Sequence, residues 1–252
     1  MADVVVITGG SRGIGAACAR LAARAGKAVC LSYATNRAAA EAVVADIEAA
    51  GGTAGAVKCD VADNNQVVAL FEAADAMGAA HGGAVSGLIN NAGVIDLRAR
   101  VDEMSPERLE RIMRVNILGS FFCAREAVSR MSTRRGGKGG TIVNLSSAAA
   151  KLGAAGQYVD YAASKGAIDT FTRGLALETA EEGIRVNGVR PGIIDTDIHA
   201  SGGEPDRARK LRGVVPMKRE GSAEEVAEAV LWLMSDAASY VTGATIDVTG
   251  GR

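Results

Sequence analysis

The amino-acid sequence predicts a doubly wound α/β fold, a parallel sheet of seven strands with helices on both faces. Two observations predict it. Short apolar, β-branched runs alternate along the chain with longer Ala-rich segments of helical period. The first run passes straight into a glycine cluster and then a helical segment, the order of strand, tight turn and helix start in such sheets. With 252 residues and a hydrophobic fraction of 48%, the chain can bury one large core, so 1–252 is expected to form one domain.

The expected strands are Val4 to Thr8, Ala28 to Tyr33, Gly55 to Cys59, Ser86 to Asn90, Thr141 to Ser146, Arg185 to Arg190 and Thr245 to Val248. Helix starts carry their own marks. Asp63 with Gln66 and Ser222 with Glu225 fit capping boxes, and Ser105 precedes Pro106 at a first-turn position. The Gly-rich stretch Arg134 to Gly140 reads as a surface loop, because a strand follows at once. The polar, Arg-rich stretch Asp197 to Gly213 follows the sixth strand and reads as a lid over the sheet's carboxyl edge, spanning about 195–213.

Composition excludes some functions. Lys plus Arg total 28 against 29 Asp plus Glu, so no net charge draws the chain to nucleic acid or an anionic membrane. The start lacks the basic flank and long apolar stretch of a signal peptide, and no apolar run approaches the ~20 residues of a membrane span. Cys18, Cys30, Cys59 and Cys123 lie far apart without metal-ligand spacing and read as buried thiols of a cytoplasmic protein. A small-molecule partner is expected, and no metal.

The glycine cluster, Thr8-Gly9-Gly10-Ser11-Arg12-Gly13-Ile14-Gly15, precedes a helix expected over Ala16 to Ala25. Glycines let the backbone approach a pyrophosphate, and the helix N-terminus offers free amides and a partial positive charge. At the end of the second strand, an acidic side chain would bond the ribose hydroxyls of NAD(H) and repel a 2′-phosphate. Here the segment reads Ser32-Tyr33-Ala34-Thr35-Asn36-Arg37, with no acid. Arg12 and Arg37 are placed to meet a phosphate, so NADP(H) is favoured over NAD(H). If both are ordinary solvated charges, either dinucleotide could serve.

Further along, Tyr161 and Lys165 stand four residues apart in the helical segment Gln157 to Leu177, which puts phenol and ammonium on one face. A phenol pKa of ~10 falls to near 7 only with ~4 kcal/mol of phenolate stabilisation, which one cation ~4 Å away barely supplies. An oxidised nicotinamide beside the phenol would supply the rest. Ser146 and Ser147 close the fifth strand, where a hydroxyl can bond a reacting oxygen.

Together these motifs resemble those of the short-chain dehydrogenase/reductase family, along essentially the whole chain. The glycine cluster matches its T-G-x-x-x-G-x-G, Asn90-Asn91-Ala92-Gly93 its N-N-A-G, and Tyr161 with Lys165 its Y-x-x-x-K. Asp60-Val61, Asn116 and Pro191-Gly192 with Thr196 agree as well. The resemblance implies a three-layer, Rossmann-type NAD(P)-dependent oxidoreductase acting on CH-OH donors, similar to bacterial 3-oxoacyl-carrier-protein reductases and glucose 1-dehydrogenases. It implies that Ser147 orients the substrate oxygen, Tyr161 is the acid or base, Lys165 holds the nicotinamide ribose and Asn116 holds a relay water. Ser146 stays a lesser candidate, because the spacing from Ser147 to Tyr161 is one residue longer than in many relatives. By the same resemblance, Asp60 and Val61 flank adenine, Asn91, Ala92 and Gly93 the adenosine ribose, and Ile194 and Thr196 the nicotinamide and phosphates.

Other residues invite a function less. Tyr158 has Ala162, not lysine, four positions on. His81 reads as a surface residue of the turn Gly78 to Gly83, and His199 as a lid residue that could touch substrate. Trp232 reads as buried in the core or at a subunit contact. The resemblance also implies a homotetramer, or a homodimer, with Phe121, Phe122, Ile168 and Phe171 compatible with its contacts. The expected reaction is reduction of a carbonyl to a secondary alcohol, or its reverse. An NAD-dependent sugar or alcohol dehydrogenase, a non-catalytic dinucleotide-binding regulator, and a dehydratase or epimerase are the alternatives.

Overall fold

The computed structural model describes residues 2–198 and 202–252, so His199 lies outside the described residues. Seven strands form one sheet: β1 (Val4–Ile7), β2 (Ala28–Tyr33), β3 (Ala54–Lys58), β4 (Val85–Asn90), β5 (Gly140–Leu145), β6 (Ile184–Pro191) and β7 (Thr245–Val248). Their spatial order is β3-β2-β1-β4-β5-β6-β7, and every neighbouring pair is parallel. The strand order reverses beside β1, which opens a crevice at the carboxyl ends of β1 and β4.

Alternation along each strand fills two cores. Val5, Ile7, Val29 and Leu31 pack under α1 (Gly13–Arg24), α2 (Arg37–Ala49) and α9 (Ala223–Met234). Val4, Val6, Ala28 and Cys30 face the other way, under α3 (Asn64–His81), α5 (Gly119–Met131) and α7 (Val159–Thr179). The remaining helices are α4 (Pro106–Met113), α6 (Ala149–Leu152) and α8 (Arg207–Leu211), with α4 running through a π turn at Arg114–Leu118 into α5. No helix among the described residues is long and apolar enough to cross a membrane.

Several boundaries differ from the sequence reading, each for a local reason. β5 ends at Leu145, so Ser146 and Ser147 sit in the turn after the strand. α1 begins at Gly13, which puts the last glycines of the cluster in its first turn. α7 begins at Val159, because Gln157 and Tyr158 close a turn on the carbonyl of Ala154. α3 runs through His81 and stops at Gly82, whose φ of 69° ends a helix without a Cβ penalty. Ser222 and Glu225 form the full capping box, whereas Gln66 bonds the Asp63 carboxylate and accepts from the Asp60 amide instead of capping Asp63's own N–H.

One apolar residue sits differently from expectation. Ile168 is 1% exposed and belongs to the core, so it is no subunit contact. Trp232 is 43% exposed within this chain, because its neighbour Leu233 takes the inward position on α9. Phe121 is half-exposed and stacks on Phe171 with ring centroids 3.9 Å apart.

Candidate active site

The glycine turn after β1 is held from both sides. Asn91, at the end of β4, donates its amide to the carbonyls of Thr8 (2.9 Å) and Gly9 (3.0 Å). Thr8 Oγ1 accepts in return from the backbone N–H groups of Asn91 and Ala92, both at 3.0 Å. Gly9 (φ 63°) and Gly13 (φ 50°) take the left-handed conformation that this turn requires. A Cβ on Gly15 would stand 2.4 Å from the Gly9 carbonyl oxygen, so the first turn of α1 lies directly against the strand exit. No side chain caps α1 and its first turn holds no acid, so its leading amides are free to meet an anion. A cradle that Cβ atoms would fill, beside uncapped helix amides, fits the pyrophosphate of a dinucleotide.

From this turn a groove runs over the carboxyl edge of β1, β2 and β4. Its walls include Gly9, Ser11, Arg12, Gly13 and Ile14, then Tyr33, then Asp60 and Val61, then Asn91, Ala92 and Gly93. Asn36 and Thr196 line it too. Arg37 does not. As the first residue of α2 it points along the helix to Glu41, at 2.7 Å, with its side chain 75% exposed. Arg12 and Arg37 were both expected to meet a phosphate; Arg12 lines the groove, and Arg37 here pairs with Glu41 outside it.

A second cavity, of about 420 Å³, continues from the groove past Ile14, Gly93 and Thr196. Its walls bring together Ser146, Ser147, Tyr161, Lys165, Pro191, Gly192 and Ile194. The two serines divide the work. Ser146 is buried and donates its hydroxyl to the Lys165 carbonyl at 3.1 Å, which fixes β5 to α7. Ser147 instead bonds the Tyr161 phenol, and its Oγ accepts from the Ala149 N–H at 3.1 Å. The turn before Tyr161 passes through Gly153, Ala154 and Gly156, all at positive φ. Tyr158 is buried and lines the same cavity, with its ring under the Arg207 guanidinium.

Lys165 is buried, and its ammonium donates to the Leu145 carbonyl at 2.6 Å while lying 5.7 Å from the centre of the Tyr161 ring. Desolvation pushes the phenol of Tyr161 up, and the Ser147 hydrogen bond only partly opposes it. An acidified phenol is therefore not a property of these side chains by themselves. Gly93 leaves the space where a Cβ would stand 3.4 Å from Lys165 Nζ and 3.5 Å from Asn116 Oδ1. The buried Asn116 amide is fully engaged: Oδ1 accepts from Val94 N–H (2.8 Å), and Nδ2 donates to Val94 O and Ser164 Oγ, both at 3.0 Å. Its side chain lines neither cavity.

Desolvation also pushes the Lys165 ammonium from its ordinary 10.5 down to about 8. Between about pH 8 and 10.5 the unfolded chain holds a proton here that the folded chain lacks, so this group raises stability as pH rises. Below pH 8 its full cost is present, about 3 kcal/mol for a shift of this size. Lys165→Met is therefore expected to raise the melting temperature at pH 7 by several degrees and to gain little at pH 10.5, which thermal melts at both pH values check.

The sequence reading did not single out Gln157 or Arg207 as site residues, although both line the second cavity. The only signal was the Arg-rich composition of the lid. Among the described residues no cluster of His, Cys, Asp or Glu could hold a metal.

A family model described as "Enoyl-(Acyl carrier protein) reductase" matches residues 9–252. An uncharacterised oxidoreductase of Escherichia coli (strain K12), YgfF, is 52% identical over 249 residues, covering 99% of both chains. A 3beta-hydroxysteroid dehydrogenase 1 of Eggerthella lenta is 41% identical, over 98% of this chain and 92% of that one. The solved structure of a short-chain dehydrogenase from Burkholderia cenocepacia J2315 in complex with NADP superposes with a TM-score of 0.87 at 30% identity, covering 99% of this chain and 97% of that one. Fold, glycine turn and whole-length similarity agree, and the chain belongs to the short-chain dehydrogenase/reductase family of oxidoreductases.

Proposed function

We propose that the protein interconverts a carbonyl and a secondary alcohol, using NADP(H), with Tyr161 as the group that gives or takes the proton. One observation carries this reading: a single cavity that opens from the glycine groove gathers the Ser147 hydroxyl, the Tyr161 phenol and the Lys165 ammonium. When bound, the nicotinamide supplies or accepts the hydride. Ser147 orients the reacting oxygen beside the phenol. Tyr161 holds the proton, and Lys165, whose ammonium gives one of its three N–H groups to the Leu145 carbonyl, would hold the ribose with another. Asn91 holds the glycine turn open for the pyrophosphate, and the α1 amides neutralise it.

The choice of NADP(H) is supported by the acid-free end of β2, by Arg12 on the groove wall, and by the NADP complex of the Burkholderia relative. Hydrogen bonds to a charged phosphate are worth ~1.5–3 kcal/mol. Arg12→Ala is therefore expected to cut the preference for NADPH over NADH by ~10-fold or more. Arg37→Ala is expected to change it by less than about 3-fold, since Arg37 is held by Glu41 on the solvent side of α2. Steady-state rates with both dinucleotides check the pair of variants.

The reading is tested by following nicotinamide absorbance while purified protein meets ketoacyl thioesters, sugars, diketones and quinones. Turnover with NADPH supports it, and a preference for NADH removes the role given to Arg12. Half-exposed Phe121 and Trp232 support self-association into a dimer or tetramer, which sedimentation measures. Four free, buried cysteines fit a reducing cytoplasm.

A further inference from the structure

Among the described residues that line the substrate cavity, the charged side chains are those of Lys165, Arg207 and Arg252, all cations, and no Asp or Glu faces it; at Arg252, the last residue of the sequence, the terminal carboxylate offsets the guanidinium. Lys165 belongs to the proton-transfer end. Arg207 stands on α8 beside the turn that leads into α7, and it is built into place. Its Nη2 donates to Gln157 Oε1 at 2.7 Å, its Nη1 to Glu204 Oε2 at 2.8 Å, and its guanidinium lies 5.3 Å from the centre of the Tyr158 ring. Only 15% of its side chain is exposed.

The charge of this cluster is not balanced. Glu204 Oε2 also takes Arg98, at 2.7 Å, so one carboxylate serves two guanidiniums. The Lys210 ammonium adds a third cation to its surroundings, and the three hold the Glu204 carboxyl below the usual carboxylate range despite desolvation. The other acids nearby are already paired, Asp160 with Arg108 and Asp206 with Arg209. Of its five N–H groups, Arg207 gives one to Glu204 and one to Gln157, and the other three meet no acceptor among the described residues. Half-buried charge is stable when matched, and a guanidinium fork matches a carboxylate.

Resting on the proposed carbonyl chemistry, we infer that Arg207 selects substrates bearing a carboxylate at the end away from the reacting carbonyl, with an apolar chain between them. The apolar stretch of wall is Ile95, Leu152, Ile193 and Ile198. A substrate carboxylate against Arg207 completes a cluster of alternating charge, Arg98, Glu204, Arg207, substrate.

The test compares 5-oxohexanoate with its methyl ester, which share one ketone and differ in charge. The wild-type protein is expected to show kcat/KM at least 10-fold higher for the acid, and Arg207→Met, which keeps the apolar stem, to bring that ratio near one. Glu204→Gln is expected to raise the ratio, a gain that misfolding cannot imitate. Equal use of acid and ester by the wild type, or a ratio unchanged in both variants, overturns the inference. Calorimetry with 4-phenylbutyrate and 4-phenylbutyramide decides it without turnover: at least 10-fold tighter binding of the acid, lost in Arg207→Met, supports it, and equal or no binding overturns it. If neither these ketones nor the thioesters, sugars, diketones and quinones turn over while the acid still binds preferentially, the carbonyl chemistry fails and the carboxylate site stands.

Discussion

Tyr161→Phe is expected to lower kcat by ~10³-fold in both directions while dinucleotide affinity, measured by nicotinamide fluorescence, changes by less than about 3-fold. The substitution removes one oxygen and keeps the ring, so the packing of α7 and the 5.7 Å approach of Lys165 to the ring survive. What disappears is the proton. The phenol of this chain is pushed up by desolvation, so at neutral pH it is protonated and stands ready as an acid for carbonyl reduction. Alcohol oxidation needs the phenolate, and its rate is expected to climb with pH, while reduction slows once the phenol ionises. Both limbs of the pH profile should vanish in the Phe variant. A profile retained in Tyr161→Phe would mean that another group moves the proton.

Much of this site was legible in the sequence because its chemistry rests on short-range spacing. Four residues on a helix place Tyr161 and Lys165 on one face whatever surrounds them, and a glycine cluster between strand and helix has few other uses. Short apolar, β-branched runs likewise placed the seven strands to within about a residue at each end. Orientation was not legible. Arg37 follows β2 closely enough to reach a phosphate, yet as the first residue of α2 it finds Glu41 one turn on. Asn116 belongs to a motif, but only the fold reveals that its amide is spent on Val94 and Ser164. Arg207 was hidden for the opposite reason, since Gln157, which accepts from it, lies 50 residues away in sequence, and Arg98, which shares Glu204 with it, lies further still.

Gly15→Ala is expected to abolish measurable dinucleotide binding. The methyl group would stand 2.5 Å from Asn91 Nδ2 and 2.4 Å from the Gly9 carbonyl oxygen, a distance that only backbone movement can relieve. No rotamer helps, because the first clash is with the main-chain carbonyl of Gly9. Moving α1 outward would break the Asn91 bonds to the Thr8 and Gly9 carbonyls and tilt the uncapped amides off the pyrophosphate. The buried alanines of α1, Ala16 and Ala19 among them, pack against the core and resist that movement, so the cost also falls on stability. Overpacking of this kind costs ~1–3 kcal/mol, which leaves a folded protein with a distorted cradle. Circular dichroism should therefore report a folded chain with a lowered melting temperature, and fluorescence titration with NADPH should show no saturation. A Gly15→Ala protein that binds NADPH as tightly as the parent would place the dinucleotide elsewhere than over this turn, and the roles given to Arg12 and Lys165 would fall with it.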